Sequence, residues 1–500
     1  MRALISVTNK DKLDYLVKNL KELGWEIVST GGTLKYINEL GYQAINIEDV
    51  TNFKEILSGR VKTLSPYIHG GILYRRDNQD DVKTIEEENI KPIDMVVVNL
   101  YDFMGALSSK DQDNIIEHID IGGPTLIRAA AKNHKDVLVL TDINDYEEVI
   151  DRLKNKTDDL KFRQKLAAKA FNLTSYYDAN ISAYFNKLTG LDSKYLNIGL
   201  EKIEDLRYGE NPSQKASLYK ENSVNSYLSN LEILHGKKMS FNNYNDLNVA
   251  IEIAAEFGEN AVAAIKHATP CAVSFQDSLL ESYKKAYEAD STSIFGGIVA
   301  LNGTVDEDIA NEISKIFLEI VAAKDFTDKA LEILEKKKNI RLVKIDFNLE
   351  KNDRDIKYLN GLVLSQERDN AEDEYHVVTE KAPSEKEKED LLFAMKVVKY
   401  TKSNAIVVAK DRTTLGIGGG ETSRIWALDN IKNHYDKDFE GAVLASDAFF
   451  PFDDCVILAS EMKISSIIQP GGSLKDEDSI KKADELGISM VFSKNRHFRH

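Results

Sequence analysis

The chain has 500 residues, 65 Lys and Arg against 82 Asp and Glu, and a net charge of −17. That length predicts about three units of ~150 residues, and the acidic balance argues against general binding to nucleic acid or anionic membranes while leaving room for small anions in local cationic pockets. Cys271 and Cys455 form no CxxC or disulfide framework, no stretch approaches ~18 apolar residues, and MRALISVTNKDK is too weakly apolar for a secretory leader, so a cytosolic protein is expected.

The first part alternates short apolar strands, ALISV (3–7), WEIVST (25–30), DMVVVNL (94–100) and VLVLT (137–141), with helical patterns over 11–23, 33–40 and 145–153. This predicts a parallel α/β sheet. At STGGT (29–33) a strand hands over to a helix, a geometry that aims backbone N–H groups at an anion; a plain tight turn explains it equally well. GRVKTLSPYIHGGIL (59–73), read as extended, puts Arg60 and Lys62 on one face, where two like charges favour an anion between them. NLYDF (99–103) and IDIGGPTLIRAAAKNH (119–134) offer Tyr101, Asp120 and Lys132 as acid, base and cation at a strand end and a helix start. Taken singly, each also reads as a buried tyrosine, a capping aspartate and a surface lysine. An amphipathic helix over 161–188 and a polar linker over 189–205 follow.

The second part opens with the turn-forming octet RYGENPSQ (207–214), which carries Arg207, Tyr208 and Asn211. AVAAIKHATPCAV (261–273) reads as a buried strand that ends in a cation and an imidazole, Lys266 and His267, with Thr269-Pro270 as its terminator. AVAAIKH resembles AIVVAKD (405–411) and GGIVALN resembles EGAVLASD; the spacing from Lys266 to Gly297 is 31, as is that from Lys410 to Gly441, which suggests an internal duplication. The charged stretch 365–390 reads as a solvated connection and helix start. LGIGGGETSR (415–424) fits neither a dinucleotide fingerprint nor a P-loop. SDAFFPFDD (446–454) offers aromatics that suit either a flat heterocycle or a core.

GRVKTL, IDIGGPTLIRAAAKNH, RYGENPSQ, IKHATPCA, VKYTKSNAI, SDAFFPF, QPGGS and the terminal RHFRH, in this order, resemble the bifunctional AICAR formyltransferase and IMP cyclohydrolase family along essentially the whole chain. The resemblance implies a methylglyoxal-synthase-like cyclohydrolase domain over 1–195. It implies a formyltransferase domain over 200–500, made of two cytidine-deaminase-like subdomains over roughly 200–360 and 361–500. It further implies a homodimer with the transferase site at the subunit interface, 10-formyltetrahydrofolate as cosubstrate, and no metal or redox cofactor.

By the family motifs, His267 would be the transferase base and Lys266 the charge stabiliser. Arg207, Tyr208, Asn211, Asn404, Arg424 and Arg496 would hold the nucleotide, with Arg207 and Arg496 on its phosphate, and Phe450, Phe452 and Asp454 would line the folate side. For ring closure, Lys62 would stabilise the oxyanion, Asp120 and Tyr101 would move protons and Lys132 would assist. Ser6, Lys10, Ser29, Gly31, Gly32, Thr33, Arg60 and Thr63 would surround the ribose phosphate. Ser213, Glu421 and Asp453 stand where the family usually has His, Gln and Arg. A zinc nucleoside deaminase is disfavoured because neither HxE nor PCxxC is present; a non-catalytic purine-nucleotide sensor is the other alternative.

Overall fold

The computed structural model describes residues 1–109, 111–349 and 354–500. Two compact units emerge, Met1–Glu201 with Glu221–Ser223, and Lys202–Lys220 with Val224–His500.

In the first unit five parallel strands, β1 (Arg2–Ser6), β2 (Glu26–Ser29), β3 (Ile45–Asn46), β4 (Met95–Val98) and β5 (Leu138–Leu140), pair in the order β3-β2-β1-β4-β5. The central strands read as continuous apolar runs because helices cover both faces; Leu4, Ile5, Val96 and Val97 are fully buried. The strand order reverses between β1 and β4, so the connections leave in opposite directions and a crevice opens beyond their carboxyl ends. The segments that follow Ser6 and Val98 border that crevice. Helix Leu160–Thr189 turns Phe162, Leu166, Ala170 and Tyr177 inward.

The expected linker over 189–205 is only partly irregular. β6 (Leu200–Leu206) pairs with β7 (Ala216–Glu221) in a two-stranded sheet. β6 buries no residue, so no alternating apolar face announced it.

The second unit is built on twelve strands: β8 (Glu232–His235), β9 (Ala261–Lys266), β10 (Thr269–Phe275), β11 (Ile298–Val305), β12 (Ile320–Phe326), β13 (Arg341–Lys344), then, after the separate hairpin β14 (Arg354–Leu359) and β15 (Leu362–Glu367), β16 (His376–Val377), β17 (Ile406–Lys410), β18 (Thr413–Gly418), β19 (Val443–Ser446), β20 (Ser466–Gln469) and β21 (Ser489–Phe492). Their order, β16-β21-β20-β19-β17-β18-β10-β9-β11-β12-β13-β8, is a palindrome of two six-strand halves joined by antiparallel pairing of β10 with β18. Each half has one two-residue hairpin, β9–β10 and β17–β18, and each hairpin turn puts both residues at positive φ, His267 and Ala268 in one, Asp411 and Arg412 in the other.

The duplication shows in hydrogen bonds as well. Asp246 accepts from the amides of His267 and Ala268, and Asp390 from those of Asp411 and Arg412, at the same separations of 21 and 22 residues. Lys266 Nζ donates to Phe295 O, and Lys410 Nζ to Glu440 O. The equivalent glycines are therefore Gly296 and Gly441, both at positive φ, so the match of Gly297 with Gly441 suggested by equal spacing is one residue out. Thr269-Pro270 does not end the strand either. The turn at His267-Ala268 does, and Thr269 and Pro270 open β10.

The glycine run of LGIGGGETSR has a packing cause. A Cβ on Gly416 would lie 2.5 Å from the Ile431 side chain, and one on Gly418 would run into the carbonyl oxygen of Ala427, because helix Arg424–His434 lies directly on β18. Gly418→Ala is expected to destabilise the second unit by about 1–3 kcal/mol through overpacking, read as a lowered urea midpoint at unchanged slope.

Candidate active site

Beyond β1 and β4 lies a cavity of about 550 Å³, a size suited to a small ligand. Two helices aim their N-termini at it, Gly31–Glu39 and Gly122–Lys132, whose free N–H groups favour an anion. Ser6, Lys10, Gly32, Thr33, Arg60, Lys62, Thr63, Tyr101 and Asp120 all line it. Gly31 and Gly59, both at positive φ, flank the Lys62 ammonium, and a Cβ on either would meet it in ordinary contact at 3.9 and 3.8 Å. The Gly122-Gly123 pair makes room: a Cβ on Gly122 would be 2.7 Å from Thr63 Oγ1, and one on Gly123 2.5 Å from Asp120 Oδ2.

Asp120 Oδ1 accepts from the Gly123 amide at 2.7 Å, and the Asp120 amide donates to Tyr177 Oη at 2.9 Å. Burial pushes the Asp120 carboxyl above its ordinary value, against the pull of the Gly123 and Tyr101 amides and the Lys62 charge. Tyr101 is 40% exposed beside it, so the reading of a buried tyrosine does not hold. Arg60 does not share an extended face with Lys62, because the segment folds as a 3₁₀ turn at Leu57–Gly59 and an isolated bridge between Ile56 and Val61 before helix Pro66–Leu73. Instead Arg60 forms an ion pair with Glu117 on the cavity wall.

Two expected ring-closure residues stand apart from the cavity. Ser29 is fully buried and its hydroxyl donates to Ile5 O at 2.7 Å, tying β2 to β1. Lys132 is exposed at the far end of the helix whose start lines the cavity, about 15 Å along at 1.5 Å per residue. Asn99 was not anticipated: its Oδ1 accepts from the amides of Thr8 and Asn9 at 2.5 and 3.1 Å and so shapes the loop after β1. A polar residue closing the apolar run DMVVV was its only sequence signal.

In the second unit the pairing register brings candidate segments to one rim of the sheet. The β9–β10 turn, the ends of β18, β19, β20 and β21, and the starts of β11, β12, β13 and β17 all lie there. Lys266, His267, Asn404, Glu421, Phe449, Phe452 and the tail after Phe492 follow directly from those ends. The RYGENPSQ loop joins the same rim through Asn242, whose Nδ2 donates to Glu210 O, and the Arg207 charge acts on Arg341 at the start of β13. Arg207 itself stacks over Tyr208, 4.6 Å from its centroid, and donates to its hydroxyl. Asn211 sits in the same loop and its amide donates to Gln214. The counterpart turn Lys410-Asp411 lies on the opposite rim.

His267 is exposed, with its amide donating to Asp246, whose carboxyl is pushed up by burial against the pull of the Ala268 and His267 amides. Asn404 donates twice to Glu421 O, and the Glu421 carboxylate accepts from Asn430 at 2.7 Å. Arg424 is 8% exposed and bonds Asp447 Oδ1 at 2.8 Å and Phe449 O at 3.2 Å, so it braces the loop after β19 instead of reaching outward. Phe450 is fully buried in the core with Phe439 and Leu444, whereas Phe452 is 61% exposed. Phe450 therefore packs the core, and of the two only Phe452 stands at the surface. Asp454 opens helix Asp454–Glu461 and accepts from the Cys455 amide. Arg496 is exposed with its guanidinium 5.0 Å over the Phe498 ring. Cys271 is buried, and burial pushes its thiol up to about 12.

The sequence pattern of the AICARFT/IMPCHase bienzyme family matches residues 130–432, and that of MGS-like domains residues 12–125. Proteins described as bifunctional purine biosynthesis protein PurH are similar over the whole chain: that of Clostridioides difficile is 52% identical over all of this chain and 99% of its own, that of Caldicellulosiruptor saccharolyticus 51% over the same shares, and that of Clostridium botulinum strain Okra 52% over the same shares. A solved structure described as "Crystal structure of ForH" is 33% identical over 37% of this chain and 97% of its own, with a TM-score of 0.34.

The chain belongs to the AICARFT/IMPCHase bienzyme family. Its two activities are AICAR formyl transfer, from a folate-type formyl donor, and closure of the product to IMP, the last two steps of purine synthesis. The MGS-like match covers most of the five-stranded unit and the bienzyme match most of the palindromic sheet's first half and its junction.

His497 is a titratable group in the bienzyme that the sequence left unremarked. It is 1% exposed, with Nδ1 2.6 Å from Asp369 and Nε2 3.0 Å from Asp373. Burial pulls its pKa down most strongly, but the two carboxylates together outweigh that and hold it above the ordinary 6.5. A raised histidine pKa stabilises the fold fully below the unfolded value, and the contribution is lost as pH rises through the folded value. Thermal stability of the second unit is therefore expected to decline as pH rises from 6.5 through the raised pKa, and His497→Gln is expected to flatten that slope in melting curves.

Proposed function

We propose that the bienzyme closes the IMP ring in the first unit's cavity and transfers the formyl group at the rim of the twelve-stranded sheet, with His267 as base. The observation that carries the first assignment is the convergence of Lys62, Asp120 and Tyr101 with two helix N-termini in one cavity. The helix ends and Lys10, Arg60, Gly32, Thr33 and Thr63 take the ribose phosphate. Ring closure needs the carboxamide nitrogen to attack the formyl carbon and water to leave. The Lys62 ammonium stabilises the oxygen that gains charge while Asp120 takes the carboxamide nitrogen's proton and that oxygen becomes a hydroxyl. Tyr101 then protonates the departing hydroxyl as the formamide nitrogen gives up its own proton to form the ring C=N bond, so both hydrogens of the water come from the two substrate nitrogens. Lys132 is left with at most an indirect part.

For formyl transfer the AICAR amine attacks the formyl carbon of 10-formyltetrahydrofolate while the carbon–nitrogen bond to the folate breaks. His267, exposed on a fixed turn, accepts the amine proton. The Lys266 ammonium stabilises the oxyanion and returns a proton to the folate nitrogen. No step calls for a metal or redox group.

The site is completed by a second copy of the chain. Arg207, near β13, and Arg496, whose tail returns to Asp447 after β19, flank Lys266-His267 on opposite sides, seven inter-strand steps apart in the order β13-β12-β11-β9-β10-β18-β17-β19. At ~4.8 Å per step they are roughly 34 Å apart along one sheet, too far to grip one phosphate, so the two arginines meet only across a dimer. The hairpin β14–β15 supports the same reading: Tyr358, Leu362 and Leu364 are 71%, 70% and 56% exposed, an apolar arm suited to a partner.

Supplied with AICAR and 10-formyltetrahydrofolate, the protein is expected to release tetrahydrofolate and IMP; nucleotide binding without turnover would instead make it a sensor. His267→Ala is expected to slow formyl transfer by about 10²–10⁴-fold while ring closure of supplied formyl-AICAR persists, and Lys62→Ala to slow ring closure by about 10²–10³-fold while transfer persists. Equal damage to both reactions by either variant would defeat the two-site assignment. Ring closure should fall with acid through the raised pKa of Asp120, above the ordinary 3.8, as that carboxylate is protonated. Changing Leu362 and Leu364 to Glu should give a monomer by light scattering that closes rings but transfers no formyl group.

A further inference from the structure

The acidic stretch before β16, which the sequence presents as a solvated connection, has a specific task in the structure. Asp369 and Asp373 close on the two ring nitrogens of His497, five residues past the end of β21. With a carboxylate at each nitrogen, both nitrogens serve as donors, which is the imidazolium form. The same segment grips the tail twice more: Asn495 Nδ2 donates to Glu372 O at 2.6 Å, and the Glu374 amide donates to Ser493 O at 3.0 Å.

On its other side the tail is stitched to the nucleotide candidates. The His497 amide donates to Asp447 O at 2.8 Å. Asp447 is fully buried, with Oδ1 bonded to Arg424 at 2.8 Å and Oδ2 to Ser403 Oγ at 2.5 Å. Ser403, the neighbour of Asn404, donates from its amide to Arg499 O, and its hydroxyl accepts from the Arg499 amide. Residues 495, 497 and 499 are thus each fastened, and the two between them, Arg496 and Phe498, project to solvent, with the Arg496 guanidinium over the Phe498 ring. Neighbouring side chains in an extended segment point to opposite sides, so seating His497 inward turns Arg496 outward onto the rim.

We infer that His497 is a positioning residue for formyl transfer: clamped between Asp369 and Asp373, its imidazole fixes the tail so that Arg496 and Asn404, held from within through Ser403, Asp447 and Arg424, present one preformed grip for the phosphate-bearing substrate. The inference rests on the proposed role of Arg496. It assigns Asp369 and Asp373 to substrate affinity through the tail they clamp.

The test is steady-state kinetics of the full-length protein, with formyl transfer and ring closure measured separately. His497→Gln, which cannot donate to both carboxylates as a cation, is expected to raise the KM for AICAR about 10- to 100-fold, the range for losing charge-assisted hydrogen bonds. The fall in kcat should be smaller, and the kinetics of ring closure on supplied formyl-AICAR should not change. Asp373→Asn should give a smaller rise in the same direction. Arg496→Ala checks the underlying reading: if it leaves the KM for AICAR unchanged, Arg496 is not a substrate ligand. If Arg496→Ala raises that KM and His497→Gln does not, the positioning role alone is overturned. The double variant should be no worse than Arg496→Ala alone. A His497→Gln protein that loses kcat in both reactions, or aggregates while Asp373→Asn keeps the wild-type KM, would mean that His497 only holds the fold.

Discussion

The antiparallel pairing of β10 with β18 is the constraint from which the second unit's arrangement follows. Two six-strand halves joined edge to edge in this sense are related by a half-turn about an axis through the sheet. The half-turn sends their equivalent hairpins to opposite rims. Lys266-His267 therefore shares its rim with the ends of β18, β19, β20 and β21, and Lys410-Asp411 faces the other way, its acid engaged with Lys386. A parallel join would have put both turns side by side. The proposed proton-transfer residues thus lie on one half alone, and its twin provides loops and tail to the same rim.

In an acidic protein, anion sites have to be built locally. The first unit does so by aiming two helix N-termini into the crevice at the switch between β1 and β4, and by placing Lys62 between Gly31 and Gly59. The second unit uses paired charges to fix the tail that carries the exposed Arg496: Arg424 with Asp447, and His497 with Asp369 and Asp373. Arg424, Asp447 and His497 are buried, and the desolvation of each charge is offset by a fixed counter-charge and hydrogen bonds, while Asp369 reaches His497 from the surface. Such pairs contribute alignment more than stability, and alignment is what a loop or a chain terminus otherwise lacks.

Much of the fold was legible along the chain. The strands of the first unit fall within one or two residues of their apolar runs, because a parallel strand covered on both faces must be apolar throughout. β3 and β6 were not legible: one is two residues long and the other buries nothing. GRVKTL misled because alternation was assumed where the chain turns, and a turn has no period. Among the site residues, Lys62, Asp120, Tyr101 and Thr63 are brought together, whereas Ser29 spends its hydroxyl on the backbone, Lys132 is a helix-length away and Phe450 fills the core. Nothing local separates Phe450 from Phe452; only the packing of helix Arg424–His434 and its neighbours against the sheet does.

The sequence by itself determined the class of fold, the order of its motifs and the chemical kinds of group available, since apolar period, glycine placement and charged residue types are local properties. The tertiary structure decided which of those groups meet. The turn at His267-Ala268 depends on pairing between β9 and β10, the opposite-rim placement of its twin depends on the sense of the β10–β18 contact, and the burial of His497 between two aspartates joins residues 124 and 128 positions apart. Those relations arise from long-range pairing and packing, which no window of neighbouring residues encodes.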